Sequence, residues 1–159
     1  MTELILITVG TLKESYLKDA CLEYQKRLGE FARIKEINVK EELIKNEDDK
    51  GQIASALERE GEKILSSIPK DAYVISLCVE GDEVSSPELA RLIEKQSART
   101  GRIALIIGSS YGLSDKVKQS SDMRLSFSKL TFPHQLMRVI LLEAVYRAFT
   151  ISAGKRYHK

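Results

Sequence analysis

The sequence predicts an α/β fold in which a parallel sheet is sandwiched by helices. Short, almost continuous apolar runs alternate with longer amphipathic segments, and the clearest runs occupy residues 4–10, 72–79 and 102–108. Strands have this composition when helices cover both faces of a parallel sheet. A chain of 159 residues suits one hydrophobic core, so we predict a single domain over residues 1–159.

The first half of the chain predicts two strands and two helices. Leu, Ile and Val dominate the first run, which Gly10 closes. Apolar residues at three- and four-residue spacing predict each helix, and the second helix ends before Pro69. An acidic stretch between the second strand and the second helix predicts a surface loop. The predicted elements are a strand at 4–10, a helix at 12–28, a strand at 34–39, a loop at 40–50 and a helix at 52–68.

The second half continues the same alternation. Ser85 and Glu88 have the spacing of a capping box, with Pro87 in the first turn, which predicts the start of a helix. Ser114 is a second candidate helix cap. The predicted elements are a strand at 72–79, a helix at 86–99, a strand at 102–108, a short helix at 115–119, a strand at 123–127 and a long helix at 133–152.

Composition argues against several classes of protein. No apolar run approaches the roughly 20 residues needed to cross a bilayer, and the start lacks the basic region of a secretory signal, so we predict a cytoplasmic protein without a membrane role. Cys21 and Cys78 have no second Cys at metal-ligand spacing, and the chain has two His. We therefore expect reduced core thiols and no metal site.

Charge is distributed very unevenly along the chain. Residues 116–159 carry nine Lys or Arg and two acids, whereas residues 1–115 carry sixteen basic and twenty-one acidic side chains. Such polarity favours an anionic partner on one face. A solvated basic helix followed by a loose tail is an equally good explanation from charge alone.

Three predicted strands end in small or backbone-exposing residues, at residues 77–81, 107–112 and 126–131. The carboxyl ends of parallel strands meet at one edge of the sheet, where ligands bind in such folds. Main-chain groups near Gly108 and Gly112 can approach a nucleoside there, although glycines at strand ends are common in any α/β protein. Neither a Walker loop nor a dinucleotide fingerprint is present.

The chain resembles the ribosomal RNA large subunit methyltransferase H family, a group of small SPOUT-class enzymes. The match extends back through residues 8–10 and 23–28 and so spans essentially the whole chain. The segments that carry most of the resemblance are Ile107-Gly108, residues 112–114, residues 125–135, Arg138-Val139, Glu143, residues 146–149 and residues 157–159.

The resemblance implies methyl transfer from S-adenosyl-L-methionine to N3 of a pseudouridine in large-subunit (23S) ribosomal RNA. It further implies a homodimer that acts on assembled ribosomes and a trefoil knot at the C-terminal side of the sheet. Knots are rare, and the periodicity of the sequence alone does not predict one.

The resemblance also implies the cofactor site. Apolar side chains would wall an adenine slot, and the amides of residues 128–131 would supply hydrogen bonds. At Ser109 the family usually has a second Gly; if the position needs a positive φ, Ser there costs on the order of 1 kcal/mol. The implied cofactor residues are Leu77, Gly108, Phe127, Ser128, Lys129, Leu130, Thr131 and Phe132.

Four residues are candidates for the chemistry of the transfer: Arg138, Tyr157, His158 and Lys159. The N3 proton must leave before or during attack, so His158 is a candidate acceptor, and Arg138 and Lys159 can stabilise the uracil anion or hold phosphate. A frayed polar tail is the expectation for an arbitrary chain. For His134, which follows Pro133, we expect capping or packing rather than catalysis.

The final helix also predicts how two subunits would meet. Its apolar residues would pack against the same helix of a second copy, so that one subunit's tail completes the other's site. The rival prediction is a non-catalytic domain that binds RNA or ribosomes, in which Ser109 spoils the donor pocket. The residues predicted at the dimer interface are Leu136, Val139, Ile140, Leu142 and Val145.

Overall fold

The computed structural model describes the chain from Met1 to Lys159 and contains five strands and five helices in strict alternation. The alternation has the predicted order, with one helix after each strand. The elements are β1 (Thr2–Val9), α1 (Ser15–Leu28), β2 (Ala32–Val39), α2 (Lys50–Ser67), β3 (Tyr73–Glu83), α3 (Ser86–Thr100), β4 (Arg102–Ile107), α4 (Asp115–Ser120), β5 (Met123–Ser126) and α5 (His134–Ser152).

The five strands form one parallel sheet in the order β2-β1-β4-β3-β5. Successive side chains of β1 enter opposite faces of the sheet, so Leu4 and Leu6 belong to one core and Ile5 and Ile7 to the other. Helices α1, α3 and α5 cover the first face, and α2 and α4 cover the second. The predicted sandwich is confirmed. None of the five helices combines the length and the apolar character needed to cross a membrane.

Two element boundaries differ from the prediction by three or more residues, and the others lie within two residues of it. Helix α1 begins at Ser15 rather than at residue 12, because Glu14 is still extended and its side chain makes no cap hydrogen bond. Strand β3 runs on to Glu83, beyond the predicted end at residue 79. Gly81 allows this extension, since a Cβ there would lie 2.7 Å from the backbone of Arg124 in β5.

The chain crosses the sheet between its last strand and its last helix. Strand β5 lies at one edge, whereas the first turns of α5 are fastened to the end of β1 near the other side. Gln135 accepts a hydrogen bond from the Lys13 amide at 3.2 Å, and Arg138 Nη2 donates to the carbonyl oxygens of Val9 and Gly10 at 2.9 and 2.6 Å. Residues 127–133 therefore pass over the carboxyl ends of the strands.

Candidate functional site

A cavity of about 640 Å³ opens where β3, β4 and β5 end. Its volume lies in the range of small-molecule sites, and half of its lining residues are apolar. The predicted convergence of three strand ends is therefore present in the structure. The lining segments are Leu77 to Glu80, Ile107 to Leu113, Lys118, Leu125 to Ser128, and Leu130 to His134 with Met137.

The structure brings seven of the eight predicted cofactor residues to this cavity. Leu77 and Gly108 lie on one side, and the loop that starts at Phe127 lies on the other. Lys129 is exposed and does not line the cavity, whereas its neighbours Ser128 and Leu130 do. Leu130 lines it with 71% of its surface exposed, so this side chain forms an open rim rather than a closed wall.

Gly108 is required by the close approach of two chain segments. A Cβ at this position would lie 2.2 Å from the carbonyl oxygen of Gly112 and 2.6 Å from its carbonyl carbon. Backbone cannot move away as a flexible side chain can, so any larger residue would force the loop after β4 outward. Gly112 itself has φ +92°, a conformation that other residues rarely adopt.

Ser109 does not cause the backbone strain that a positive φ at this position would bring. Its φ is not positive, and its buried hydroxyl accepts a hydrogen bond from the Tyr111 amide at 3.3 Å. The cavity stays open beside it. The rationale for a donor pocket spoiled by Ser109 is therefore lost.

Beneath Ser109 lies a buried carboxyl group that sequence reasoning missed. Glu60 of α2 is 3% exposed; its Oε2 accepts from the Glu42 amide at 2.9 Å, and its Oε1 has no hydrogen-bond partner. Burial raises the pKa of Glu60, while the Glu42 amide and the Ser109 hydroxyl act in the opposite direction. The helical spacing of Glu60 between Ala56 and Ile64, which share its buried face of α2, is the feature of the sequence that could have indicated its burial.

The pKa values of the ionisable side chains around the cavity are shifted in different directions. The Glu80 carboxylate pairs with Lys118 at 2.5 Å, which lowers the pKa of Glu80. Burial raises the pKa of the Cys78 thiol, and partial desolvation together with the nearby Glu47 carboxylate raises the pKa of the Tyr111 phenol. Burial lowers the pKa of His134, with Arg138 and Lys13 acting in the same direction and Glu41 opposing them. No three His, Cys, Asp or Glu side chains are grouped as a metal ion would require.

The C-terminal tail packs on the far end of α5. The ring of Tyr157 lies edge-on to Tyr146 at 4.9 Å and beneath the guanidinium of Arg147 at 4.7 Å, and its hydroxyl donates to Glu143 at 3.2 Å. Burial and the nearby Glu143 and Tyr24 raise the pKa of Tyr157 to about 12. The tail is thus held by specific contacts as far as Tyr157, rather than frayed.

His158 meets a side chain that can only donate. Arg147 Nη1 lies 3.3 Å from His158 Nδ1, and a guanidinium has no acceptor, so Nδ1 accepts and the ring proton of the neutral imidazole sits on Nε2. Arg147 is itself bonded to Glu143 at 2.5 Å. In this arrangement His158 presents a hydrogen-bond donor to its surroundings.

The tail and the cavity are far apart within one chain. The cavity contacts α5 at His134 and Met137, whereas the tail contacts it at Arg147, which is about 15 Å further along the helix axis. Tyr157, His158 and Lys159 do not line the cavity. The structure therefore does not join the two predicted halves of the site in a single subunit.

Arg138 lies in neither half. It is 2% exposed, and its guanidinium is bonded to the carbonyl oxygens at the end of β1, with its Nε buried and unpartnered. It does not line the cavity. A direct catalytic role for Arg138 stays a prediction, whereas its contacts assign it to holding α5 against the sheet.

Comparison with known proteins agrees with this geometry. A family model described as "Predicted SPOUT methyltransferase" matches residues 2–158. A solved structure described as a probable methylase family protein from Haemophilus influenzae Rd KW20 shares the fold, with a TM-score of 0.54 and 15% identity over 97% of this chain and 67% of that one. The family match, with which the fold agrees, thus defines a methyltransferase of the SPOUT class.

Relatives named ribosomal RNA large subunit methyltransferase H match the chain from end to end. The protein of Bifidobacterium adolescentis is 46% identical over 158 residues, covering 99% of both chains. Those of Caldicellulosiruptor bescii and Streptococcus thermophilus are each 45% identical, covering 97% of this chain and 98% of theirs. The chain belongs to the ribosomal RNA large subunit methyltransferase H family.

Proposed function

We propose that this protein transfers a methyl group from S-adenosyl-L-methionine to N3 of a pseudouridine in 23S ribosomal RNA, acting on assembled ribosomes. The observation that carries the proposal is the cavity framed by the ends of β3, β4 and β5, which contains seven of the eight residues expected around the cofactor. The names of the full-length relatives support ribosomal RNA as the substrate.

The cavity suits the cofactor chemically. Leu77, Phe127 and Phe132 offer apolar surface to an adenine ring, and the backbone around Gly108 is free to approach it closely. The loop after β5 is tightened by the Ser128 hydroxyl, which accepts from the Leu130 amide at 3.0 Å. Bound there, S-adenosylmethionine supplies an activated methyl on a sulfonium, so the protein must chiefly orient the target nitrogen.

We further propose that the enzyme is a homodimer in which one subunit's tail completes the cavity of the other. The separation of tail and cavity along α5 supports this, because a local movement of residues 157–159 is too short to bring them to the cavity of their own subunit. The exposed apolar surface of α5 also supports it, with Leu136 37% exposed and Val139 and Ile140 partly exposed. Leu142 and Val145 are buried in the subunit's own core, so predicting them at the interface was wrong.

The tail would supply donors and positive charge to the reacting base. Tyr157 is a neutral phenol at physiological pH, with a pKa raised from 10.0 to about 12. His158 offers its Nε2 proton, and Lys159 offers an ammonium group. Together they would stabilise negative charge on the uracil oxygens as the N3 proton leaves.

Two further expectations accompany this function. The passage of residues 127–133 over the strand ends is the segment that a trefoil knot would thread, and we propose that the chain is knotted there. We propose a cytoplasmic location, because ribosomes are the substrate. The basic C-terminal third would face the ribosome, with affinity that falls steeply as salt rises.

The deciding experiment measures methyl transfer from labelled S-adenosylmethionine to ribosomes that lack the modification. We expect one methyl group per ribosome on N3 of a pseudouridine, and calorimetry should detect cofactor binding to the protein alone. Free 23S RNA is the matched substrate control and should react poorly if ribosome shape directs the enzyme. Cofactor binding with no transfer to any RNA would refute the proposed substrate.

A further inference from the structure

His134 forms part of the cavity wall at the start of α5, immediately after the loop expected to hold the cofactor. It is half-buried, and its side chain does not cap the helix. The first turns of α5 are pinned to the segment after β1 by Gln135 and Arg138. The backbone that carries His134 is therefore held beside the cavity, and the expected capping role does not explain the position of its side chain.

The other ionisable groups that line the cavity are poor proton acceptors. Cys78 and Tyr111 hold their protons at neutral pH, because their pKa values are raised above ordinary values of 9.0 and 10.0. Glu80 is a weak base because Lys118 binds its carboxylate, and the Lys118 ammonium has no lone pair to offer. His134 is the one lining side chain that is both basic and uncharged at neutral pH.

The surroundings of His134 suit a group that gains a proton briefly. No hydrogen bond contributes to the pKa of His134, so its ring nitrogens are available to a ligand. Lys13 before α1 and Arg138 in α5 favour the neutral ring, whereas Glu41 after β2 favours the charged one. The imidazole also lines a second, smaller cavity of about 330 Å³ beside Tyr16 and Leu17, which opens a second route for a proton to solvent.

We propose that His134 accepts the N3 proton of the target base during methyl transfer, an inference that rests on the proposed function. The N–H bond breaks and its proton moves to an imidazole nitrogen. The N3 electron pair forms the bond to the methyl carbon, and the carbon–sulfur bond breaks with its electron pair remaining on sulfur. The positive charge of the sulfonium is thereby replaced by an imidazolium, which then loses its proton to solvent.

This assignment divides the work between the two His residues of the chain. His158, whose Nδ1 accepts from Arg147, donates through Nε2 to the developing anion, and His134 removes the proton. The two roles predict different dependences of the rate on pH, since a proton acceptor loses its function when it is already protonated, whereas a donor needs only to carry its proton.

The test compares His134→Gln with the matched variant His158→Gln in single-turnover methylation of unmodified ribosomes from about pH 5 to pH 9. The wild-type rate should rise with pH through a pKa below the ordinary 6.5 of His and then level off. His134→Gln should react about 100- to 1,000-fold more slowly and rise with hydroxide concentration across the range, without the plateau. His158→Gln should be slower but keep the wild-type profile.

A wild-type pH profile in His134→Gln, merely scaled down, would overturn the proposal, and so would loss of the plateau in His158→Gln instead. Calorimetry of the His134→Gln variant with S-adenosylmethionine should show affinity within about threefold of wild type, so that weak binding does not mimic the effect. The NMR titration of His134 in the wild-type protein must also match the kinetic pKa. If wild-type protein methylates no ribosome at any pH, the proposed function has failed rather than this inference.

Discussion

The cavity and the C-terminal tail are assigned to one reaction, yet they are built by different means. The cavity is made of strand ends whose positions are set by the sheet, and Gly108 contacts Gly112 through backbone alone. The tail is held by side chains on the surface of α5, chiefly Tyr157 on Tyr146 and Arg147. The cavity should therefore tolerate few substitutions, because backbone segments cannot move apart without opening the sheet end. The tail should tolerate more, because its contacts are between side chains on the surface of one helix.

The largest expected effect comes from adding one carbon to the cavity. Gly108→Ala places a Cβ 2.2 Å from the Gly112 carbonyl oxygen, so the loop must move outward. We expect cofactor affinity to fall at least 100-fold, or about 2.7 kcal/mol, measured by calorimetry. Gly29→Ala is the matched control, because Gly29 ends α1 away from the cavity with an ordinary αR conformation. Equal affinity in both variants would show that the cavity does not hold the cofactor.

Exchange of subunits between two inactive variants tests whether the cavity of one subunit works with the tail of the other. Gly108→Ala dimers and dimers truncated before Tyr157 should each be inactive. After random exchange of subunits, half of the dimers are mixed, and each has one intact cavity beside one intact tail. We expect activity to return to about one quarter of wild type, measured by methyl transfer to ribosomes. Persistent inactivity after demonstrated exchange would contradict a site shared between subunits.

The stability of the protein should respond to pH through Glu60, which is buried beneath Ser109. Its folded-state pKa is raised above the ordinary 4.5, so the folded protein binds the proton more tightly and stability falls as pH rises through that raised pKa. Glu60→Gln should stabilise the protein at pH 7 by about 1 kcal/mol, or roughly 2–4 °C in melting temperature. The gain should shrink as pH falls toward 4.5. A gain that is independent of pH would show that burial of the charge is not its cause.

The smallest effect is expected in the tail. Tyr157→Phe removes the 3.2 Å hydrogen bond to Glu143 but keeps the ring on Tyr146 and Arg147. We expect a loss of stability below about 1 kcal/mol by thermal denaturation. Because the pKa of Tyr157 is about 12, the wild-type pH profile should contain no step from this phenol below about pH 10. A step that appears there and vanishes in Tyr157→Phe would contradict the raised pKa.

Most elements of the fold could be predicted because their signals are local. Apolar periodicity and caps such as Ser85 with Glu88 lie within a few residues of one another, and the capping box is present as predicted. The resemblance to a family added the cofactor loop that starts at Phe127, and seven of the eight residues that it implies for the whole cofactor site line the cavity. Composition alone did not distinguish that loop from an ordinary turn.

The rest depends on contacts between distant parts of the chain. Arg138 is an arginine on an amphipathic helix until the end of β1 is placed beside it, and Glu60 is a surface acid until Ser109 lies above it. The extension of β3 past Gly81 needs β5 next to it. None of these pairings has a periodicity that a single sequence displays, so the structure was needed to find them.

The bond from Arg138 to Val9 joins residues 129 positions apart. Closing so long a segment carries a large entropic cost before any contact repays it, which slows folding. Strand β1 pairs with β2 and β4, but the carbonyl groups at its end lack their Arg138 partner until α5 packs against the sheet. The start of α5, which carries His134 beside the cavity, therefore takes its place late in folding.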